Sequence, residues 1–485
     1  MPQTHDPSSP HPHPLREMLA IAGPTVATMV SYTLMTFTDK WLCSHIGPDP
    51  IYVGAQGNGG LVAWVPISLA HGFLNVVSTF VSQNQGAGKA ERGPAYVWNA
   101  MYMGWLYWLV FLLPISFMLP LVFRLSEMDP RQAEMATQYG QILLWGAGIT
   151  MIVRSLGQFF FGMHKPGVML AAGVSSNIFN LIVSAVLTFG HTPPETLGAF
   201  GHFTGSIAKV FNIEAMGITG SAIGTVLATC IEAAIPACVF LGKSMNARYA
   251  TRAAWRISRE HMVDVFKMGW PAGLMFANEM ICWALFMVYL VSHFGAEHAT
   301  AGWIAHQYMS LSFMPAVGLS VAAAALVGKY QGMGRSDIAT HRAWLAVKIA
   351  LVYMGICAII FLIFREQLIR AFVRDDTDPL QAERLVALGS KFLIATAAFQ
   401  LFDAAAMTIS GALRGAGDTK VPGVATVILS WTIIVGGGFM MIHLFPSLQS
   451  VGPWIAAATY IAVLCLFLLF RFLAGHWKDI KVVKD

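Results

Sequence analysis

The sequence predicts an all-α membrane protein, with twelve transmembrane helices in two parallel six-helix repeats around a central cavity. Three observations carry this expectation. Of 485 residues, 56% are hydrophobic and 11% charged, with a mean hydropathy of +0.60, whereas a soluble domain carries about 25% charged residues. Twelve apolar stretches reach the roughly 17 residues that a spanning helix needs. Turns of the first half also recur, in order, in the second.

Residues 1–15 are polar and rich in Pro and His, without the apolar core of a signal peptide, and read as a disordered tail. His5, His11 and His13 lie there and read as solvated rather than metal-binding. Segments one to six cover about 17–45, 51–82, 94–123, 133–161, 168–189 and 215–241. The turns between them are GPDP at 47–50, QNQGAGKAERG after segment two, a polar loop with Glu127 and Asp129, and MHKPG after segment four. The 191–212 loop is rich in Gly and Pro and has no readable conformation. The most hydrophilic linker of the chain holds Lys243, Arg248, Arg252, Arg256 and Arg259, and marks a boundary near the midpoint. Segments seven to nine cover about 262–294, 299–327 and 343–364, followed by a mixed-charge loop with RDDTD at 374–378. Segment ten is read from Phe399, with a Gly-broken turn after it, and segments eleven and twelve cover about 422–445 and 451–473. The organisation is therefore a tail (1–15), an N-lobe (16–242), a linker (243–260), a C-lobe (261–475) and a basic tail (476–485).

With each Lys and Arg assigned to the nearer end of its segment, the termini and even-to-odd loops take 21 of the 30 and the other loops 9. The positive-inside rule then places both termini and the linker in the cytoplasm, and the expected location is the plasma membrane. The modest net charge of +5, spread over short loops, speaks against a nucleic-acid partner. Cys43, Cys230, Cys238, Cys282, Cys357 and Cys465 lie in apolar stretches without paired spacing and read as free, buried thiols, with neither a disulfide framework nor a metal site.

The internal repeat is specific. SHIG at 44–47 matches SHFG at 292–295, Pro24 matches Pro271, Pro66 matches Pro315, QGAGK at 85–89 matches QGMGR at 331–335, and KPGV at 165–168 echoes VPGV at 421–424. Six segments per repeat is an even number, so both repeats insert with the same orientation. They are then related by an axis along the membrane normal, with substrate held between the halves, as in transporters.

Three carboxylates stand out within the apolar segments, Asp39, Glu279 and Asp403, while Glu232 sits nearer the cytoplasmic half of segment six. An acid at mid-membrane costs about 2.5–3.5 kcal/mol on insertion scales and marks a substrate or ion path by default. Asp403 shares a helix face with Phe399, Gln400 and Met407, which suits an amphipathic cation. Glu279 lies with Met275, Phe276 and Trp283. Burial disfavours the charged form of a carboxylate, so such a group can carry a proton. His306 and Gln307 read equally as an interhelical pair or as substrate contacts, and Glu232 equally as structural or functional. Arg414, Gly415, Gly417 and Asp418 read as architecture: the glycines end segment ten, and Asp418 or Thr419 caps segment eleven with Pro422 in its first turn.

From about Leu19 to Leu473 the chain resembles the multidrug and toxic compound extrusion (MATE) family. The residues that carry the resemblance are Pro24 and Asp39, QGAG at 85–88, MGITGSAIGT at 216–225, Pro271, Glu279, AHQ at 305–307, FQLFD at 399–403 and ALRGAGDTKVP at 412–422. The resemblance implies two six-helix lobes and cofactor-free export of drug-like, often cationic compounds, driven by H⁺ or Na⁺, by a monomer. It nominates Asp39 with Asn180 and Thr225 in the first lobe, and Glu279 with Asp403 in the second. Members with a complete cation site carry an acid four residues after the Asn, where this chain has Ser184. Some place a Tyr one turn before the segment-ten acid, where it has Phe399. These departures favour H⁺ over Na⁺.

Two rival readings follow from the same residues. A lipid-linked oligosaccharide flippase of the same superfamily needs a cationic cavity, whereas the mid-membrane charges found here are acids. GAGD at 415–418 fits a pattern of intramembrane aspartyl proteases, with Asp403 as the second acid. Fifteen helical residues span roughly 22 Å, far beyond the ~3 Å of a carboxylate dyad, so no enzyme is expected and no catalytic residue is assigned. No phosphate-binding GxxxxGK[ST] loop is present.

Overall fold

The computed structural model describes residues 12–47, 51–124, 128–373 and 378–483. Residues 1–11, the end of the GPDP turn, Glu127 and 374–377 lie outside the described residues. Twelve helices among the described residues are long and apolar enough to cross a bilayer. They are α1 (Pro14–Ser44), α2 (Ile51–Gly86), α3 (Ala90–Arg124), α4 (Pro130–Gly162), α5 (Gly167–Phe189) and α6 (Ile218–Phe240). The second half supplies α7 (Arg259–Phe294), α8 (Glu297–Gly332), α9 (Ser336–Ile363), α10 (Pro379–Ala416), α11 (Lys420–Leu444) and α12 (Val451–Leu473). In lipid every backbone N–H and C=O must be satisfied inside the chain, which leaves helices as the solution for sequences this apolar.

The sequence places segment ten too late. Its helix starts twenty residues before Phe399, at Pro379, where Asp378 accepts a bond from Gln381 N at 3.2 Å. Glu383, Arg384 and Lys391 depress the hydropathy of that first half, which is why the apolar pattern alone missed it. The same cap opens α4, where Asp129 accepts from Arg131 N at 2.9 Å and Gln132 N at 3.2 Å. DPRQAE at 129–134 and DPLQAE at 378–383 are thus a further repeat match that the reading of the sequence passed over. In both, an Asp N-cap is followed by Pro at the first helical position.

The 191–212 loop contains a short turn (Glu195–Leu197) and a helix (Gly198–Phe211) that ends on Asn212 in the left-handed region. Leu197 packs there with Leu42, Ala185 and Phe189. The central linker is pinned rather than loose: Trp98 Nε1 donates to Thr251 O at 2.9 Å and Tyr102 Oη to Trp255 O at 2.7 Å. The C-terminal segment is also fixed, because Trp477 is buried and stacks on Phe472, with ring centroids 5.1 Å apart. Cys43, Cys282 and Cys465 are buried, Cys230 and Cys357 half-buried, and Cys238 is exposed on α6, so the reading of all six as buried is corrected.

Each half builds its own core. Within the first, α5 packs on α6 and α2 on α4; within the second, α8 and α12 pack on α10. Between the halves, α1 lies on α8 and α2 on α7. A twofold that exchanges the repeats exchanges these two contacts.

The lobes meet at the end that carries the linker and the C terminus. Thr79 Oγ1 donates to Arg414 O at 2.8 Å, and Gln83 Nε2 to Gly415 O at 2.9 Å. Glu17 of α1 is buried and accepts from Tyr330 Oη at 2.8 Å and Arg342 Nε at 2.8 Å, with Lys329 Nζ at 3.4 Å. Val482 packs across the seam with Val76, Phe80 and Val265. Gly86 and Gly332 lie backbone to backbone with the opposite lobe: a Cβ on Gly86 would collide with Lys329 O, and one on Gly332 with Gln83 O. These are the first glycines of QGAGK and QGMGR. Small residues at such crossings let helices approach closely in a membrane.

Candidate functional site

In the N-lobe, α1, α5 and α6 bring Asp39, Asn180 and Thr225 together. Thr225 Oγ1 donates to Asp39 Oδ2 at 2.9 Å, and Asn180 Nδ2 points to Thr225 Oγ1 at 3.3 Å and Ser184 Oγ at 3.2 Å. Asp39, Asn180 and Ser184 are buried. Asp39 Oδ1, Asn180 Oδ1 and Ser221 Oγ have no partner among the described residues. Buried polar atoms are nearly always bonded, so these oxygens stand out as acceptors that the described residues leave unanswered. Tyr139 lies within electrostatic reach of Asp39 and accepts from Gln56 Nε2 at 3.3 Å. Neither Tyr139 nor Gln56 was singled out in the sequence, because both fall in otherwise ordinary helical pattern.

In the C-lobe, Glu279 on α7 and Asp403 on α10 are half-buried and within electrostatic reach of each other. Neither forms an ion pair or hydrogen bond with another described residue. Tyr460 of α12 is buried, has a hydroxyl without a partner among the described residues, and lies within electrostatic reach of both acids. It is the C-lobe residue that sequence reasoning missed. Beside Glu279, Met275, Phe276 and Trp283 are half-buried, and Trp283 meets the His306 ring edge-on at 5.9 Å. Met407 is half-buried and Gln307 exposed. Phe399 and Gln400 are placed differently. Each is 1% exposed, and Gln400 Nε2 donates to Ser312 Oγ at 2.9 Å. They pack inside the lobe and present no surface to a ligand.

The turn after α10 is architectural in detail. Gly417 closes α10 at φ +97°, a conformation that disfavours side chains. Asp418 does not cap α11; it pairs with Arg471 Nε of α12 at 2.8 Å. Thr419 stands at the cap position but donates its hydroxyl to Met268 O at 2.8 Å instead. Unbroken α10 separates Asp403 from Asp418, which rules out a carboxylate dyad.

Glu232 belongs to a second charged group, of which Arg154 and Tyr32 escaped notice. Arg154 of α4 lies over the Tyr32 ring, 4.6 Å from its centroid, within electrostatic reach of the buried Glu232. The membrane-embedded charges are therefore not only acids, and Arg154 was legible as a lone cation in an apolar segment.

A family model, MatE, matches the chain twice, over residues 24–186 and 271–438. The probable multidrug resistance protein NorM of Mesorhizobium japonicum is 27% identical over 468 residues, covering 95% of this chain and 93% of its own. That of Burkholderia pseudomallei is 25% identical, covering 93% and 91%. Among solved structures, a MOP superfamily transporter from Pyrococcus furiosus superposes with a TM-score of 0.83 at 18% identity, over 96% of this chain and 97% of that one. The eukaryotic MATE transporter AtDTX14 gives 0.80 at 16% identity, over 96% and 97%.

Proposed function

This chain belongs to the MatE family, and from that premise we propose that it is a secondary transporter that exports organic cations in exchange for protons. The observation that carries the reading is the pair Glu279 and Asp403: two half-buried carboxylates within electrostatic reach of each other, without a cationic partner among the described residues, beside Met and aromatic side chains. Such a pair needs a counter-charge, and both a proton and an amphipathic cation supply it. Competition between the two couples export to the proton gradient. The relatives named as multidrug resistance proteins support a broad substrate range.

Asp39, Asn180 and Thr225 are assigned to ion coupling in the N-lobe. Their unpartnered oxygens support a proton or cation there, and Ser184 in place of a second acid supports the proton. Met275, Phe276, Trp283, Met407 and Gln307 are assigned to the substrate surface. The abundance of basic residues at the end where the lobes meet supports cytoplasmic termini, a plasma-membrane location and a cavity open to the outside in this conformation. Arg154 and Arg414 favour the flippase reading more than the sequence suggested, but the paired acids favour a cationic substrate.

Efflux of a fluorescent organic cation from proteoliposomes, with pH and Na⁺ gradients imposed separately, tests the proposal. Export driven by the pH gradient alone is expected. Export that requires Na⁺ and ignores pH overturns the coupling, and transport of a lipid-linked sugar without cation export overturns the substrate class.

A further inference from the structure

Just inside the closed end, both lobes contribute basic side chains, each with one buried nitrogen unanswered among the described residues. His71 comes from α2, Arg154 from α4 and Arg414 from α10. His71 Nδ1, Arg154 Nε and Arg414 Nε are buried without a partner among the described residues. Both guanidinium groups lie within electrostatic reach of the His71 ring. That ring stacks on Phe276 of the opposite lobe, with centroids 5.9 Å apart and planes 9° from parallel. Arg414 forms no ion pair with any described residue, while its carbonyl is held by Thr79. The group therefore sits where the lobes meet.

A buried cation with unmade hydrogen bonds is costly. Arg154 is partly balanced by Glu232, and no described residue balances Arg414. Two guanidinium groups stand against a single acid, so one buried cation is left without a counter-group among the described residues. The missing group is thus a monoanion that accepts planar N–H donors, for which a carboxylate has the matching shape.

Placement links this group to the acids. Asp403 and Arg414 are eleven residues apart on unbroken α10, which is three helical turns, so they share a face about 16 Å apart. Phe276, which stacks on His71, is one turn from Glu279 on α7. One end of the inter-lobe surface therefore attracts cations and the other anions.

We infer that His71, Arg154 and Arg414 form a subsite for an anionic group, the carboxylate of a transported molecule whose cationic part rests on Glu279 and Asp403. A free monoanion such as chloride is the other source of the same chemistry. The inference rests on the proposed export function, and its test separates the two. Rhodamine 123 and rhodamine 110 differ only in a methyl ester against a free carboxylate. Binding of each is measured by fluorescence anisotropy on the purified full chain. The readout is the ratio of the two dissociation constants, which a purely structural defect leaves unchanged.

Wild type is expected to favour the acid, and Arg154→Gln or Arg414→Gln to shift the ratio towards the ester by about tenfold or more. Arg414→Lys, which keeps the charge, is expected to restore part of the preference and covers the case in which the Gln variant does not fold. If wild type shows no preference but chloride raises its thermal midpoint at constant ionic strength, and Arg414→Gln or Arg414→Lys alters that rise, a free anion occupies the subsite. A ratio that no Arg variant moves, together with no chloride effect, overturns the inference even when rhodamine 123 is bound and exported. Failure to export rhodamine 123 at all counts instead against the export function.

Discussion

At the scale of residues, intramembrane acids were legible because a charge stands out against apolar sequence, Asn180 and Thr225 were legible only through the family resemblance, and the tyrosines near the acids were not legible at all. Asp39, Glu279 and Asp403 could be named from the sequence, whereas Tyr139 and Tyr460 meet them only through packing across helices. Asp403→Asn keeps volume and polarity but removes the exchangeable charge, so gradient-driven efflux is expected to fall to background while expression and folding persist. Asp418→Asn breaks the pair with Arg471. It is expected to retain part of the efflux while costing about 2 kcal/mol of stability, read as a lower thermal midpoint in detergent. The opposite ranking of the two variants would move the mechanism to the turn. His164, in the turn between α4 and α5, offers a pH test. Its Nε2 donates to Ala325 O of the opposite lobe at 3.1 Å. Burial pushes its pKa down to about 4, with Lys329 adding to the fall and the Ala325 bond and Glu17 opposing it. Between that value and the ordinary 6.5 the closed seam binds fewer protons than an open one, so its stability falls as the pH is lowered through this window. Spin-label distances between the α4–α5 turn and the end of α8 should therefore lengthen on acidification. His164→Asn should remove the histidine-dependent part, since Asn keeps a donor and tolerates the residue's φ of +56°.

Among elements, helix existence was read from hydropathy and helix boundaries were not. The first half of α10 carries three charges and was mistaken for loop, although Asp378 and Pro379 mark its start as Asp129 and Pro130 mark that of α4. The cap chemistry held the information that the apolar window lacked. Replacing Asp129 or Asp378 by Ala should each cost about 1 kcal/mol, measurable as a shift in thermal midpoint, with transport largely kept. The glycines at the ends of α2 and α8 have a different weight. A methyl group on Gly86 or Gly332 meets backbone of the opposite lobe, which cannot move aside as a side chain can. Gly86→Ala and Gly332→Ala should leave each lobe folded but prevent full closure of that end. Faster thiol labelling of a cysteine placed at position 82 should report this, together with an efflux loss of about tenfold or more. Labelling rates equal to those of the parent would mean that the seam accommodates the extra atoms.

On the scale of the molecule, the order of repeated turns was sufficient to predict two like halves, because each half must build a core before the two can meet. What could not be read was which end of the inter-lobe space is shut, since that depends on pairings between distant helices, such as Glu17 with Arg342. The cross-lobe bonds described here gather at one end, and alternating access requires them to part. Disulfides that tie the outer ends of α1 and α7 together should therefore stop efflux while substrate still binds. Undiminished efflux from a fully cross-linked sample would contradict movement of the lobes against each other.

The paired glycine contacts carry one more implication. With the offset of 246 between QGAGK and QGMGR, Gly86 corresponds to Gly332 and Gln83 to Lys329. Gly86 meets Lys329, and Gly332 meets Gln83. Residue i touches the counterpart of j, while j touches the counterpart of i, which is the signature of an isologous dimer interface. Gly72 against Gly273 and Gly318 against Val26 repeat the pattern at the neighbouring crossing. The seam thus has the form of a homodimer contact, made here between two halves of one chain that the basic linker joins. The halves differ in their buried groups, with Asp39 among amides and hydroxyls in the N-lobe and the pair Glu279 and Asp403 in the C-lobe, while the surface by which each half meets the other still matches itself.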